Sequence, residues 1–510
     1  MPLSLVPRPL VLAAACLAAF AINLDTTIVN VALPSLTRQL GASTRDLQWI
    51  VDGYNLAFAA LVLAAGSLGD RFGRRPALLV GLLGFAAASG AGALSDSAGM
   101  LVGARVLMGA CAALIFPTTL SIITNAYPDR SQRARAVGAW GAVTGLGVAV
   151  GPVSGGLLLA HFAWPSVFVA LVPVALAGAL LAYVVVPESR DPTTPPLDRV
   201  GLVSATGAIT VLIYTIIEAP GRGWSSVPTL AGFAVAAGLA VAFVAVERGR
   251  EHPMLDVGLF GQRAFSAASA AVTVSYFALF GFIFLITQYF QFIRGYGTLS
   301  TGVRILPVAF SIAVASVVGA RLVGRLGTRA VVCTGLVAFG GAFVWISMAS
   351  TTVAYAVIVA QMLLMGTGLG LTSAPATESI LSVLSPAKAG IGSAVNDATR
   401  ELGGTLGVAV IGSVFTSLYA SHLLHGGVAH LAAPVLRVAQ SSVGAGIAIG
   451  AQAPPAVLAA VRDSFMTGLH AGCLVAGAVC WAGALGALAL PGRVSAPQPL
   501  GLSAAPAGGT

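Results

Sequence analysis

Gly66-Ser67-Leu68-Gly69-Asp70-Arg71-Phe72-Gly73-Arg74-Arg75-Pro76-Ala77-Leu78-Leu79 is the stretch from which the rest of the chain can be oriented. An apolar run from Trp49 to Leu68 precedes it and another, from Ala77 to Leu94, follows it. One carboxylate and three arginines crowd the link between them. Two hydrophobic spans joined by so short and basic a link predict a helical hairpin whose tip lies on the cytoplasmic side of a membrane.

Outward from that hairpin, apolar runs near the length of a bilayer crossing recur to both ends of the chain. Approximate spans are 10–33, 48–69, 77–95, 99–124, 136–160, 163–187, 200–219, 228–247, 264–292, 303–323, 330–349, 353–383, 398–420 and 465–490. The 510 residues are 57% hydrophobic and 8% charged, against roughly a quarter charged in a soluble protein, so polar surface is too scarce for a water-soluble globule. Strand-like alternation is missing, which predicts helices rather than a barrel. The fold class expected is an all-α polytopic membrane protein. Arg8 and the apolar run behind it resemble a signal peptide, but the run continues to Leu33, too long for an h-region, and is read as an uncleaved first span.

The net charge of +9, from 26 basic and 17 acidic residues, does not argue for nucleic acid. The basic residues fall in the links. With the N-terminus inside, eighteen lie on the cytoplasmic side and seven outside, with Arg105 left within a span. That asymmetry places both termini in the cytoplasm. Cys16, Cys111, Cys333, Cys473 and Cys480 all lie in apolar spans without metal-ligand spacing and read as small buried hydrophobes. His422, His425 and His430, in the loop after the thirteenth span, are weak grounds for a metal site, and none is assigned.

Polarity divides the chain. Residues 188–199 are a Pro-rich charged link after the sixth span, and 247–263 a second charged link after the eighth. The division expected is a six-helix N-terminal half (1–199), an inserted helix pair (200–262), a six-helix C-terminal half (263–490) with an outer loop at 421–464, and a disordered cytoplasmic tail (491–510). The hairpin tip has an echo in Val323-Gly324-Arg325-Leu326-Gly327-Thr328-Arg329, again after the second span of a six-span block, with Gly324 where the first tip has Asp70. Two related halves are the layout of a secondary transporter with its site between them.

Several residues stand out chemically. Asp25 is a carboxylate inside the first span, costly there and functional by default. Arg105, in the fourth span, lies at a similar depth, so the two can pair if their helices are neighbours. Asp70 can accept from helix N-terminal amides or pair with an arginine, and either contact can hold one conformation and be released in another. A purely topogenic charged loop is the plainer reading. Gly147, Gly151 and Gly155 recur at four-residue spacing in the fifth span, as do Gly141 and Gly145, and leave one face bare for a partner helix, beside Pro152. Glu378 follows Pro375 in the twelfth span, either a second coupling carboxylate or an acid at the inner boundary. Asp52 and Glu218 lie near outer span ends, as substrate or proton access or as ordinary boundary residues. Asn396 and Arg400 open the thirteenth span, where Arg400 either latches the inner face or acts as a topogenic charge.

The tip resembles the signature loop of the major facilitator superfamily, through Gly66, Asp70, Arg71, Gly73, Arg74 and Arg75. Leu24-Asp25-Thr26-Thr27-Ile28-Val29-Asn30-Val31-Ala32-Leu33-Pro34 resembles the first-helix motif of its fourteen-helix drug:proton antiporters, the EmrB/QacA type. Gly103-Ala104-Arg105-Val106-Leu107-Met108-Gly109, with Pro117, resembles the fourth-helix motif, with Met108 where glutamine is common. Gly147-Val148-Ala149-Val150-Gly151-Pro152-Val153-Ser154-Gly155-Gly156 resembles the fifth-helix antiporter motif, which implies packing that also serves as the gate or hinge of alternating access, beside the plainer reading of tight packing alone. Pro375–Glu378 and Asn396–Gly404 also resemble this branch.

The resemblance implies a major facilitator fold, two six-helix halves plus two inserted central helices, in a bacterial cytoplasmic (inner) membrane. It implies proton-coupled export of hydrophobic or cationic small molecules, multidrug or antibiotic efflux, by alternating access. Asp25, Arg105 and Glu378 would couple protons. Gly66–Arg75 would form a conformational latch, with Arg325, Gly327, Arg329, Asn396 and Arg400 as its counterpart in the second half. No Walker loop and no nucleophile–base set stands out, so the chain reads as a non-enzyme with no cofactor, driven by a proton gradient rather than ATP. A dedicated exporter of one secondary metabolite is the nearest alternative, then an uptake symporter, and last a non-transporting sensor or scaffold.

Overall fold

The structure, a computed structural model, describes residues 7–190, 198–250, 253, 255–382, 389–425, 428 and 431–492. The described chain is helical, and no strand occurs among the described residues. A bilayer offers backbone amides no water, so every N–H and C=O must be satisfied within the segment, which the helix does. The long helices are α1 (Arg8–Leu40), α2 (Thr44–Phe72), α3 (Arg74–Ala93), α4 (Ala98–Ala126), α5 (Arg130–His161) and α6 (Ser166–Val185). Then come α7 (Arg199–Arg222), α8 (Val227–Arg248), α9 (Arg263–Gln288), α10 (Thr298–Leu326), α11 (Thr328–Ile346), α12 (Tyr355–Ser382) and α13 (Ala389–His425). Two short helices, α14 (Ala433–Ser441) and α15 (Val443–Gln452), precede the final α16 (Pro455–Gly486).

Thirteen of the described helices are long and apolar enough to cross a membrane, and α2, bent by 57° between Val62 and Ala64, makes fourteen as a single span. The protein is a multi-pass membrane protein. Segment 421–464, expected as a plain loop, is largely helical: α13 runs to His425, α14 and α15 follow, and α16 starts at Pro455. His430 and the tail from 493 lie outside the described residues.

Helices α1 to α6 pack among themselves, as do α9 to α13 with α16. Helix α7 lies against α8, α2 and α13. The end of the bundle that bears Arg71, Arg74, Arg75 and Arg329 is called here the basic face and the other end the distal face. The two groups meet toward the distal face. Thr298 Oγ1 donates to Gly156 O (3.0 Å), Gln291 Nε2 to Val31 O (3.0 Å), and Gln48 Nε2 to Val408 O and Ala409 O (3.3 Å each). Toward the basic face, α5 and α10 part. A Cβ added at Gly138, Gly141 or Gly145 would find no atom within 4 Å. The seam between the groups is therefore closed distally and open toward the basic face. Gly141 and Gly145, expected to pack like the other glycines of α5, face that open space instead.

Candidate functional site: a buried ion pair beside a polar seam

Asp25 and Arg105 form a bidentate ion pair. Arg105 Nη1 donates to both carboxylate oxygens, at 2.7 and 2.6 Å, and the two residues are 0% and 2% exposed. Arg105 Nε also donates to Ile50 O (3.0 Å), and its guanidinium lies 4.3 Å from the centre of the Tyr54 ring. Local sequence makes this geometry possible. Gly109 is one turn beyond Arg105, and a Cβ there would collide with the Tyr54 backbone, so only glycine lets α4 approach α2 this closely. A bidentate pair with a further carbonyl acceptor and an aromatic face fills much of the guanidinium's bonding capacity. Charges buried so fully require it.

Asp25 is also flanked by the glycine stripe of α5. Gly147 packs on Phe20 O (3.0 Å from an added Cβ) and Asn23, Gly151 on Thr27 and Ile28, and Gly155 on Ile28. Gly156, the next residue, faces away to Thr298 and Leu299 of the other group. The stripe thus seats the segment of α1 around Asp25 while its end touches the facing group.

The hairpin tip is held by its own chain. Gly73 turns at φ 115°, and Asp70 Oδ1 accepts from Arg74 Nε at 2.7 Å. Of the two partners open to Asp70, the structure selects an arginine one turn away. Arg74 N donates to Ser189 O (2.9 Å), and Arg75 Nη2 to Tyr183 O (2.6 Å). Gly66 lies against Pro117, and Arg71 is exposed, its guanidinium 5.8 Å from the Phe72 ring. In the echo, Gly327 turns at φ 84°, while Arg329 donates from Nε to Leu490 O (2.8 Å) and from its amide to Pro491 O (3.2 Å).

Glu378 is exposed on α12 and makes no hydrogen bond or ion pair with a described residue. Asn396 Oδ1 accepts from Thr377 Oγ1 (2.9 Å). Arg400 lies 4.0 Å from Asp397 and over the Tyr276 ring at 4.6 Å. Asp52 is 0% exposed, and neither carboxylate oxygen has a hydrogen-bond partner among the described residues. It stands one turn below Gln48, on the side of α2 that meets α13. Glu401 of α13 lies within electrostatic range of Tyr54. Asp397 and Glu401 were not singled out from the sequence. Their signal was weaker than that of Asp25: two carboxylates at the boundary of the thirteenth span, three residues before and one after Arg400.

Tyr54, which stacks on Arg105 of the buried pair, is thus the residue of the first group that lies near Glu401 of the second, beside Arg400 and Asp397. The sequence profile of the Major Facilitator Superfamily matches residues 15–408. The chain belongs to that superfamily. It is 35% identical over 461 residues to the multidrug efflux pump LfrA of Mycolicibacterium smegmatis, covering 90% of this chain and 91% of that one. It is 33% identical over 413 residues to the tetracenomycin C resistance and export protein of Streptomyces glaucescens, covering 81% and 76%. Among solved structures, an inward-facing, unoccupied bacterial homologue of the human lysosomal transporter Spinster matches with a TM-score of 0.66 over 94% of this chain and 98% of that one, at 16% identity, a likeness of fold.

Proposed function

We propose that this protein exports hydrophobic or cationic small molecules, drugs or antibiotics, from the cytoplasm by proton-coupled alternating access. The observation that carries this reading is the Asp25–Arg105 pair, a carboxylate and a guanidinium in direct contact with no solvent around them, inside the first span. A proton taken by Asp25 neutralises the carboxylate and breaks the ion pair, leaving Arg105 with Ile50 O and the Tyr54 ring as its partners. Its loss restores the pair. The two arrangements are the kind of discrete states that alternating access needs. Asp52, Asp397 and Glu401 are the further carboxylates that a cationic substrate would meet along α2 and α13. The names of the relatives support efflux as the direction.

With the basic face cytoplasmic, as the distribution of arginines argues, the conformation described is inward-open and both termini lie inside. Reporter fusions at either terminus test that orientation. The driving force is the proton gradient, without ATP or cofactor. In proteoliposomes, an imposed pH gradient is expected to drive accumulation of a cationic dye without nucleotide. Asp25→Asn is expected to abolish that transport while still reaching the membrane, and undiminished transport by this variant would remove Asp25 from the mechanism.

The tetracenomycin exporter among the relatives favours a second reading, a pump narrowed to one native metabolite. A susceptibility panel in a pump-deficient host separates the two: protection against many unrelated compounds supports the broad pump, and protection against one chemical class the narrow one.

A further inference from the structure

The inserted helix α7 belongs to neither six-helix group, yet its distal end is bonded to both. On the α2 side, Arg45 Nε lies 2.7 Å from Glu218 Oε1, and Arg222 adds a second cation 3.6 Å from Glu218 Oε2. Glu218 is 5% exposed, and its carboxylate leaves the apolar cluster of Leu56, Ile213, Ile216, Ile217 and Ala409 toward these arginines. Tyr214 sits between Trp49, at 6.0 Å between ring centres, and Arg222, whose Nη2 donates to its hydroxyl at 2.6 Å. On the α13 side, Ser413 Oγ donates to Ile216 O (2.9 Å), and Trp224 Nε1 to Ser417 Oγ (3.1 Å).

These contacts straddle the place where Gln48 of α2 meets α13 directly. Separating α2 from α13 at the distal face must therefore break either the carboxylate–arginine tie to α2 or the serine ties to α13. No such bridge is needed for α7 to be a membrane helix, because its apolar faces alone would keep it in the bilayer.

We infer that α7 is a clasp across the distal seam, with Glu218–Arg45 and Trp224–Ser417 as its two fastenings, and that it holds the transporter in the basic-face-open state until the distal side opens. This rests on the alternating-access reading proposed above. It assigns the inserted pair a place in the transport cycle and makes Glu218 a positioning residue rather than a substrate ligand. Its effect is on the balance of two conformations, so its size follows the population arithmetic of an ion pair with one solvent-exposed partner and of one hydrogen bond, about a 1.5- to 5-fold shift for each fastening.

The test is a distance measurement between spin labels on the full-length chain in nanodiscs. Cysteines at His161 (distal end of α5) and Ser421 (distal end of α13), both exposed, carry the labels once the five native cysteines are replaced. Wild type is expected to populate a short and a long distal distance, with the short one dominant. Glu218→Gln, Arg45→Ala and Trp224→Phe are each expected to raise the long population 1.5- to 5-fold. Trp224→Phe touches an exposed residue on the α13 side and leaves the ion pair intact, so misfolding around Glu218 cannot mimic its effect. Two populations that do not respond to any of the three variants overturn the clasp and leave alternating access standing. A single distance in wild type and variants alike overturns both. Dye transport by the same variants separates the clasp from a substrate-binding role: a clasp alters the rate at saturating dye, whereas loss of a ligand raises the KM.

Discussion

The two hairpin tips, 66–79 and 323–329, share a backbone device and differ in charge. Each turns on a glycine with positive φ, Gly73 and Gly327, that ends one helix and begins the next. Each is fastened to the end of its group's last helix, the first at Tyr183 and Ser189 and the second at Leu490 and Pro491, by arginine side chains and backbone amides. The Asp70–Arg74 ion pair exists only in the first tip, because the second has lost both members, with Gly324 and Thr328 in their places. Loss of one partner alone would have stranded a charge. Loss of both leaves a neutral turn that still docks. The shared device therefore builds the bundle, and the ion pair is an addition to one half.

Substitutions can break or sharpen that contrast. The largest effect is expected at Gly73. An alanine there must adopt φ 115° and would also drive its Cβ into the Glu188 carboxylate, whereas Gly327→Ala carries the backbone cost of about 1–3 kcal/mol. Thermal unfolding in detergent should show Gly73→Ala the less stable of the two by roughly 1 kcal/mol or more, with transport falling in parallel. Equal losses would mean that Glu188 yields freely.

Asp70→Asn comes next. It should cut dye transport several-fold while shifting stability by only about 0.5 kcal/mol, since a part-exposed i, i+4 pair contributes little to folding. A matched loss of stability and transport would make Asp70 a structural residue and nothing more. Installing the pair in the second tip, Gly324→Asp with Thr328→Arg, should leave Asp70→Asn transport unrescued. Rescue would show the two tips to be interchangeable. The smallest effects are expected from Arg75→Ala and Arg329→Ala. Each loses one side-chain hydrogen bond to a carbonyl, about 1 kcal/mol, and the two should be alike within a few tenths.

Much of this was legible in the chain itself. Hydropathy alone placed the spans, because a bilayer crossing has a required length. The matched depths of Asp25 and Arg105 were enough to suggest their pairing, since rise per residue is constant along a helix. What stayed hidden depended on distant segments. That Glu188 crowds Gly73 follows from where α6 ends relative to the tip, which no local pattern encodes. Whether Asp70 would choose amides or Arg74 turned on the geometry of one turn. The helices α14 and α15 sit in a segment rich in Gly and Ala, too short to register as spans. Asp397 and Glu401 were overlooked beside Arg400, because a mixed-charge cluster at a span boundary looks like an ordinary solvated end until the structure shows it packed against the seam.

The glycine stripe of α5 also sets a mechanical scale. Gly147, Gly151 and Gly155 weld α5 to the segment of α1 around Asp25, and Gly156 rests on Thr298 and Leu299 of the other group. The helix is thus a lever with its fulcrum near one tip. From Gly156 to Arg130 it runs on for roughly 39 Å, so a rotation of about 10° at the fulcrum sweeps the basic end through roughly 7 Å. Asp25, welded close to the pivot, would travel only a small part of that arc. The residue proposed to bind the proton sits where such a motion would be least, and the basic end of α5 where it would be greatest.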